Sequence, residues 1–160
     1  MCIRDRLKSI EGNFDHPEVN ELLTKHFIEL RAASPKGSTH VLDIPGLKVP
    51  SIKFWSLWEN EKLMGCGALK FLDKNHGEFK SIRVHDDFRK KGNGFKVINH
   101  LIDEAKKLDI HRLSIETGAG KYFEPARKLF KNCNFKPCKP FAHYNEDKNS
   151  IYLTKLINNI

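Results

Sequence analysis

A strand–helix–strand unit in the middle of the sequence constrains the fold more than any other feature. Residues 76–85, HGEFKSIRVH, carry the apolar side chains of a strand, and residues 111–118, HRLSIETG, alternate apolar with polar side chains as a second strand does. Residues 94–110 lie between them, and their apolar side chains fall on one helical face: Phe95, Ile98, Leu101, Ile102, Ala105 and Leu108. This order indicates a mixed α/β sheet flanked by helices.

The N-terminal half adds further elements to this unit. Residues 7–12 have the pattern of a first strand, and residues 16–34 have helical spacing, with Asp15 as the expected N-cap and Pro17 in the first turn. Residues 51–73 hold two apolar runs around the polar turn ENEK, which predicts a hairpin.

The C-terminal half has one more helix and two more expected strands. Residues 122–135, YFEPARKLFKNCNF, return to helical spacing. Two last strands are predicted over residues 139–144, KPFAHY, and residues 150–157, SIYLTKLI, with the turn-like NEDKN between them.

Length and charge limit the classes of function. The chain of 160 residues suits one domain. We expect that domain over residues 7–160, because residues 1–6, MCIRDR, resemble a translated sequencing adapter and are interpreted as a non-native leader. The net charge of +8 indicates an anionic partner, but acids interleave with the bases. No nucleic-acid partner is therefore expected, and the short apolar runs predict no membrane partner.

Cysteine usage indicates a reducing compartment. Cys2, Cys66, Cys133 and Cys138 form no CxxC pair, and no secretory signal precedes them. Reduced thiols in a cytoplasmic protein are expected, and the ligand spacing of a metal site is missing, so no metal is expected.

The loop HDDFRKKGNGF, residues 85–95, joins the first strand of the central unit to its helix. Gly92 and Gly94 allow the backbone to turn tightly and to approach a ligand closely. The helix that begins at about Gly94 directs its free N–H groups and its positive dipole end into this loop. An anion such as a pyrophosphate fits this arrangement.

The loop sequence RKKGNG matches the Arg/Gln-x-x-Gly-x-Gly loop of the GNAT superfamily of N-acetyltransferases. HGEFKSIRV, LSIETG, FEPARKLF and PFAHY resemble a small bacterial-type branch of that superfamily, and the resemblance covers residues 7–157. It implies a GNAT fold, in which a mixed, mostly antiparallel sheet is splayed at its central cofactor strands. It also implies an acyltransferase that moves an acetyl group from acetyl-CoA to a primary amine of a small molecule or peptide, by direct attack in a ternary complex.

The resemblance assigns the acetyl-CoA contacts. The backbone of Ile82, Arg83 and Val84 would pair with the pantetheine arm, and an N–H near Ile82 would polarise the thioester carbonyl. The loop would hold the pyrophosphate, while Lys90 and Lys91 add attraction for the 3′-phosphate. The remaining implied cofactor residues are Arg89, Gly92, Asn93, Gly94, Phe95, Phe123 and Phe130.

Catalysis on an amine needs a base, because a free amine with a pKa near ~10 is mostly protonated at neutral pH. Glu78 begins the implied cofactor strand and is the first candidate, and Glu116 on the neighbouring strand is the second. The alternative for each is a strand-end carboxylate that pairs with a nearby Lys or Arg.

The resemblance is incomplete at the leaving group. Phe130 stands at the family's proton-donating Tyr and Phe123 at its Asn, and neither side chain donates a proton. Either the thiolate leaves unassisted or another group serves, with Tyr144 preferred to Tyr122; Tyr144 is equally explained as a half-buried aromatic. Asn134 replaces a family Gly, and Asn tolerates the left-handed conformation.

The acceptor is expected to contact the first helix and the Pro-, Gly- and Ser-rich loop that follows it. Arg31, Ser34 and His40 are the candidate residues, and Arg31 is suited to a carboxylate on the acceptor. Two other functions stay open: a basic nucleic-acid-binding module, suggested by the charge, and a coenzyme A-binding protein with little catalysis, suggested by Phe130. A homodimer is possible.

Overall fold

The computed structural model describes residues 7–89 and 92–157. Its strands form one sheet in the order β1-β2-β3-β4-β5-β7-β6. The strands are β1 (Leu7–Glu11), β2 (Ile52–Glu59), β3 (Lys62–Phe71), β4 (His76–Val84), β5 (Arg112–Gly118), β6 (Lys136–Pro137) and β7 (Ser150–Leu156). The helices are α1 (Pro17–Ala33), α2 (Ile44–Leu47), α3 (Asn93–Lys107) and α4 (Glu124–Asn132). Within these ranges neighbouring strands are antiparallel except β4 and β5, which confirms the predicted mixed, mostly antiparallel sheet.

The N-cap of helix α1 lies one residue later than predicted. His16, and not Asp15, is the N-cap, and its Nδ1 accepts the N–H of Glu18 at 3.2 Å. An imidazole nitrogen there satisfies a free N–H of the first turn, as a carboxylate would. Pro17 occupies the first turn as predicted.

Two apolar cores lie on opposite faces of the sheet. Helices α3 and α4 cover one face, where Phe79, Leu101 and Leu153 are fully buried. Helices α1 and α2 cover the other face, where Val19 and Phe54 belong to the second core. The face toward α1 is the one on which the polar side chains of β4 lie.

The predicted strand over residues 139–144 is wrong. Strand β6 is confined to Lys136–Pro137, and residues 139–144 form a loop with a turn. Pro140 has no N–H to give to a ladder, and Ala142 has a φ of 52°, which breaks an extended run. The aromatic residues that suggested a strand instead pack this loop onto the sheet; Phe141 lies 5.9 Å from the ring of Tyr152.

Asn134 has a φ of 70°, so the left-handed conformation expected where Asn replaces a Gly is present. Cys66, Cys133 and Cys138 are free thiols, as expected, and Cys2 lies outside the described residues. Among the described residues no helix is long and apolar enough to cross a bilayer. In the same ranges no group of three or more His, Cys, Asp and Glu side chains is arranged to hold a metal ion.

Gly65 marks a close contact between β3 and the end of β4. A Cβ at this position would lie 2.5 Å from the backbone oxygen of Arg83 and 3.2 Å from Val97 Cγ2. Because the first of these neighbours is backbone in a paired strand, we expect Gly65→Ala to lower the free energy of unfolding by about 1–3 kcal/mol in urea denaturation. Gly120→Ala is the control, since nothing lies within 4 Å of its Cβ position. Equal losses in the two variants would contradict this account of the β3–β4 contact.

Candidate active site

The site is a cleft that opens where β4 and β5 separate. The two strands pair only over three positions, from His76 with Arg112 to Glu78 with Ser114, and beyond them each continues without the other. The cleft has a volume of about 730 Å³ and is lined by residues 78–84 of β4 and residues 115–118 of β5. The two strands between which the resemblance implied acetyl-CoA border a cavity.

A bulge in β4 helps to separate the strands. Cys66 pairs with Arg83, and Ala68 pairs with Lys80. Two residues of β4, Ser81 and Ile82, therefore lie opposite the single β3 residue between Cys66 and Ala68. Ser81 has a φ of 54°, which is rare for a residue with a side chain. A bulge bends its strand and re-aims the side chains that follow. The bulge includes Ile82, near which the resemblance implied the N–H that polarises the thioester carbonyl.

The glycine loop lies at one end of the cleft. Gly92 is the N-cap of α3 with a φ of 77°, and nothing lies within 4 Å of its Cβ position. The Asn93 side chain donates to the carbonyl of Phe88 at 2.9 Å and closes the loop, while Arg89 pairs with Asp86 at 3.2 Å. Arg89, Gly92, Gly94 and Phe95 all line the cleft. Lys90 and Lys91, assigned to the 3′-phosphate, lie outside the described residues.

Gly94 serves packing as well as the cleft. Its Cβ position lies 2.8 Å from Leu129 Cδ2, so a side chain there would require the Leu129 side chain to shift. Phe123 and Phe130 are buried at the α4 side of the cleft and form part of an apolar wall. Phe130 packs edge-on against Phe135, with ring centroids 5.6 Å apart.

Glu78 is buried at the opposite end of the cleft, with 1% exposure. Residues 138–149, between β6 and β7, form a segment that we call the covering loop. Tyr144 Oη, from this loop, donates to Glu78 Oε2 at 2.6 Å. Lys80 Nζ donates to the same oxygen at 3.3 Å and to Tyr144 Oη at 3.1 Å. Burial, reinforced by the Glu78 charge, raises the pKa of the Tyr144 phenol well above its usual value, so the phenol remains a donor. Glu78 and Lys80 line the cleft, whereas Tyr144 lies behind them and is not among the described lining residues.

Glu116 and His40 border the same end of the cleft. Burial raises the pKa of the Glu116 carboxyl, although Ser150 Oγ donates to its Oε2 at 2.8 Å. The His40 ring stands edge-on to Tyr144 with centroids 5.0 Å apart. The structure thus brings four sequence-predicted residues to one place: Glu78, Glu116, Tyr144 and His40.

Arg31 lies apart from that cluster. It lines an adjoining groove of about 620 Å³, where its guanidinium lies 5.4 Å from the centre of the Phe27 ring. Ser34 is the C-cap of α1 and lines both the groove and the cleft. Arg31 therefore lies in a different groove from Glu78, Glu116 and Tyr144.

A second polar cluster ties three elements together beside the bulge. Arg83 is almost fully buried, and its Nη2 donates to both carboxylate oxygens of Glu29 on α1, at 3.2 and 3.1 Å. Tyr122, which precedes α4, donates to Glu29 at 3.0 Å. The sequence assigned only the Arg83 backbone, but its side chain also joins α1 to β4.

Four buried polar atoms without a hydrogen-bond partner among the described residues belong to residues that line this cleft. They are His26 Nδ1, Glu78 Oε1, Ser81 Oγ and Arg83 Nε. Buried polar groups are nearly always paired, so these four atoms are places where a ligand or water in the cleft can form hydrogen bonds.

Comparison with known proteins agrees with this geometry. The family model described as the acetyltransferase (GNAT) family matches residues 17–135. The chain belongs to the GNAT family. The uncharacterized N-acetyltransferase YsnE of Bacillus subtilis (strain 168) is 46% identical over 138 residues, which cover 86% of this chain and 91% of that protein. The uncharacterized N-acetyltransferase YedL of Escherichia coli (strain K12) is 39% identical over 139 residues, or 87% of each chain.

Solved structures confirm the GNAT fold. A GNAT family acetyltransferase from Elizabethkingia anophelis, with acetyl-CoA bound, matches with a TM-score of 0.67 and 18% identity. The match covers 95% of this chain and 99% of that one, and at this identity it speaks for the fold alone. GNAT membership identifies the chain as an acyltransferase, as the sequence predicted.

Sequence reasoning missed Lys80, the Arg83–Glu29–Tyr122 cluster and His26. A signal for Lys80 was present, because Glu78 and Lys80 are two residues apart on one strand and so share a face. No sequence pattern pairs Glu29 with Tyr122, since 93 positions separate them.

His26 makes the stability of this GNAT domain depend on pH. Burial, with the Arg83 charge as a second cause, lowers its pKa from 6.5 to about 4. Between pH 6.5 and pH 4 the imidazole is protonated in the unfolded chain but neutral in the folded chain. The free energy of unfolding is therefore highest above pH 6.5 and falls by roughly 3 kcal/mol in all as the pH drops toward 4. We expect His26→Gln to flatten this part of the curve of unfolding free energy against pH, and the exposed-site control His111→Gln to leave it unchanged. Parallel curves for His26→Gln and the wild type would contradict the assignment.

Proposed function

We propose that the protein is an acetyl-CoA-dependent N-acetyltransferase that acts on a primary amine of a small molecule or peptide. The observation that carries this proposal is the cleft itself. A helix N-terminus with an unobstructed glycine lies at one end, and a buried carboxylate with a free oxygen lies at the other. Together these ends fit an anionic donor and an amine acceptor that meet between β4 and β5.

The described residues fit coenzyme A. The space above Gly92 admits a phosphate close to the backbone, and the free N–H groups of α3 attract negative charge there. Residues 82–84 offer strand backbone to an extended arm, and Phe123 and Phe130 give that arm an apolar wall. Acetyl-CoA supplies the thioester from which the acetyl group is transferred.

The chain's own residues handle the proton. Glu78 Oε1 accepts a proton from the acceptor amine, directly or through a water molecule, and frees the nitrogen lone pair for attack. Tyr144, which faces Glu78 rather than the cleft, supports this role by holding Oε2. Glu116, with its raised pKa, is the second candidate base. Ser34 and His40 border the acceptor end, and Arg31 contacts a remote part of the acceptor.

Two measurements on the purified protein test the proposal. Acetyl-CoA should raise the melting temperature, because a ligand that binds only the native state stabilises it. A panel of primary amines should then include acceptors that release free thiol from acetyl-CoA at a rate above hydrolysis. No thermal response and no amine-dependent thiol would refute the proposal.

Coenzyme A binding without turnover is a second candidate function. Phe130 favours it, since this buried ring cannot give a proton to a leaving thiolate. A thermal response to acetyl-CoA that is accompanied by hydrolysis alone across the amine panel would favour this second candidate.

A further inference from the structure

The two oxygens of the Glu78 carboxylate have different surroundings. Oε2 receives the hydroxyl of Tyr144 at 2.6 Å and the ammonium of Lys80 at 3.3 Å. Oε1 is buried and has no hydrogen-bond partner among the described residues. The two donors thus hold Oε2, and Oε1 stays unpaired in a residue that lines the cleft.

Lys80 occupies an unusual position for a lysine. Its side chain is only 10% exposed, and its ammonium is held by Glu78 and Tyr144 and lies 5.8 Å from the centre of the Tyr144 ring. Burying an ammonium costs free energy unless an opposite charge and hydrogen bonds compensate it. The pair of Lys80 and Glu78 is therefore a unit, and the cation in it faces the cleft.

We propose that Lys80 is a positioning residue for proton transfer, acting through Glu78. This inference rests on the proposed function. Lys80 and Tyr144 hold Oε2, so that Oε1 points at the acceptor, and the ammonium compensates the charge of the carboxylate until the proton arrives.

The charge balance of the reaction gives Lys80 a second effect. Glu78 Oε1 takes the first proton from the ammonium form of the acceptor, so the unit of Glu78 and Lys80 changes from a net charge of zero to +1 before attack. The freed nitrogen forms a bond to the acetyl carbon, the carbon–sulfur bond breaks with its electron pair on sulfur, and the second proton of the nitrogen goes to that sulfur. The positive charge already beside the cleft stabilises the thiolate as it forms, which offsets the missing proton donor at Phe130.

Other charged or titratable groups face Glu78 from the surrounding elements. They are His76 on the same strand, Lys70 on β3, Glu116 on β5, His40 before α2 and Tyr144 in the covering loop. Among the described residues Lys80 is the cation within ion-pair distance of Glu78.

The test compares Lys80→Met, Lys80→Arg and the wild type, with Lys53→Met as a matched control on β2, where Lys53 pairs with exposed Glu11. We expect Lys80→Met to lower kcat by about 10- to 100-fold with little change in the KM for acetyl-CoA. The acid limb of its pH–rate profile should move to higher pH, because the base has lost a cation that favours its charged form. Lys80→Arg should recover most of this shift, and Lys53→Met should match the wild type.

A second measurement does not depend on turnover. The carboxyl carbon of Glu78, assigned in ¹³C NMR spectra by its loss in Glu78→Gln, should titrate at higher pH in Lys80→Met than in the wild type. Coincident titration curves would overturn the inference, as would a Lys80→Met enzyme with the wild-type pH profile. Either of those results would leave the proposed function intact. If no amine acceptor were found, the proposed function would be overturned, and the titration of Glu78 would still decide the role of Lys80.

Discussion

Glu78→Gln is expected to lower kcat by about two to four orders of magnitude while acetyl-CoA still raises the melting temperature as it does in the wild type. The amide has nearly the same shape as the carboxylate, so the buried site at the end of β4 should keep its packing. It cannot take a proton from the acceptor, and it carries no negative charge for Lys80 to compensate. Initial rates of thiol release, with calorimetric or dye-based melting curves, give both readouts.

Two control variants make this result specific. Glu21→Gln alters an exposed carboxylate of α1 and should leave kcat unchanged. Glu116→Gln alters the second candidate base and should reduce kcat less than Glu78→Gln does. A larger loss in Glu116→Gln would transfer the role of base to Glu116, and wild-type rates near neutral pH in Glu78→Gln would remove Glu78 from it.

Gly92→Asp is expected to abolish the thermal response to acetyl-CoA. The position is open, so the substituted chain should fold, with a cost of about 1–2 kcal/mol for a side chain in the left-handed region. The new carboxylate would sit at the N-terminus of α3, where it takes the place of a phosphate at the free N–H groups and repels its charge. Melting curves over a range of acetyl-CoA concentrations measure the effect.

The chain provides matched controls for this variant. Gly92→Asn has nearly the same size, tolerates the left-handed conformation and adds no charge, so it should keep part of the response. Gly12→Asp places the same residue at another open glycine, with a φ of 76°, in the connection between β1 and α1, and should keep the full response. If Gly92→Asp itself keeps the full response, the glycine loop is not the phosphate site.

The parts of the fold that the sequence predicted well depend on local patterns. Ile98, Leu101, Ile102 and Ala105 of the predicted apolar face of α3 are buried, as their spacing indicated, whereas Phe95 is 46% exposed and the buried Val97 was not predicted. The short pairing between β4 and β5 could be predicted only from the family resemblance. Alternation of apolar and polar residues along a strand does not show where its pairing with a neighbouring strand ends.

The parts that the sequence did not predict depend on contacts between distant segments. Tyr144 was expected on a strand and as a donor to the leaving group, but 66 positions separate it from the carboxylate that it meets. Lys80 was overlooked because a lysine in a strand is ordinarily solvent-exposed, and only the loop above it shows that it is buried. The contact of the Arg83 side chain with Glu29 was not predicted because 54 positions separate the two residues.

The position of Tyr144 in the covering loop affects how such an enzyme can evolve. The carboxylate proposed as the base stands on a paired strand, while the hydroxyl that holds it is delivered by an irregular segment between β6 and β7. Surface loops accept insertions, deletions and substitutions that strands do not. The orientation of the proposed base can therefore change through this loop without a change in any residue of the sheet that we propose binds acetyl-CoA.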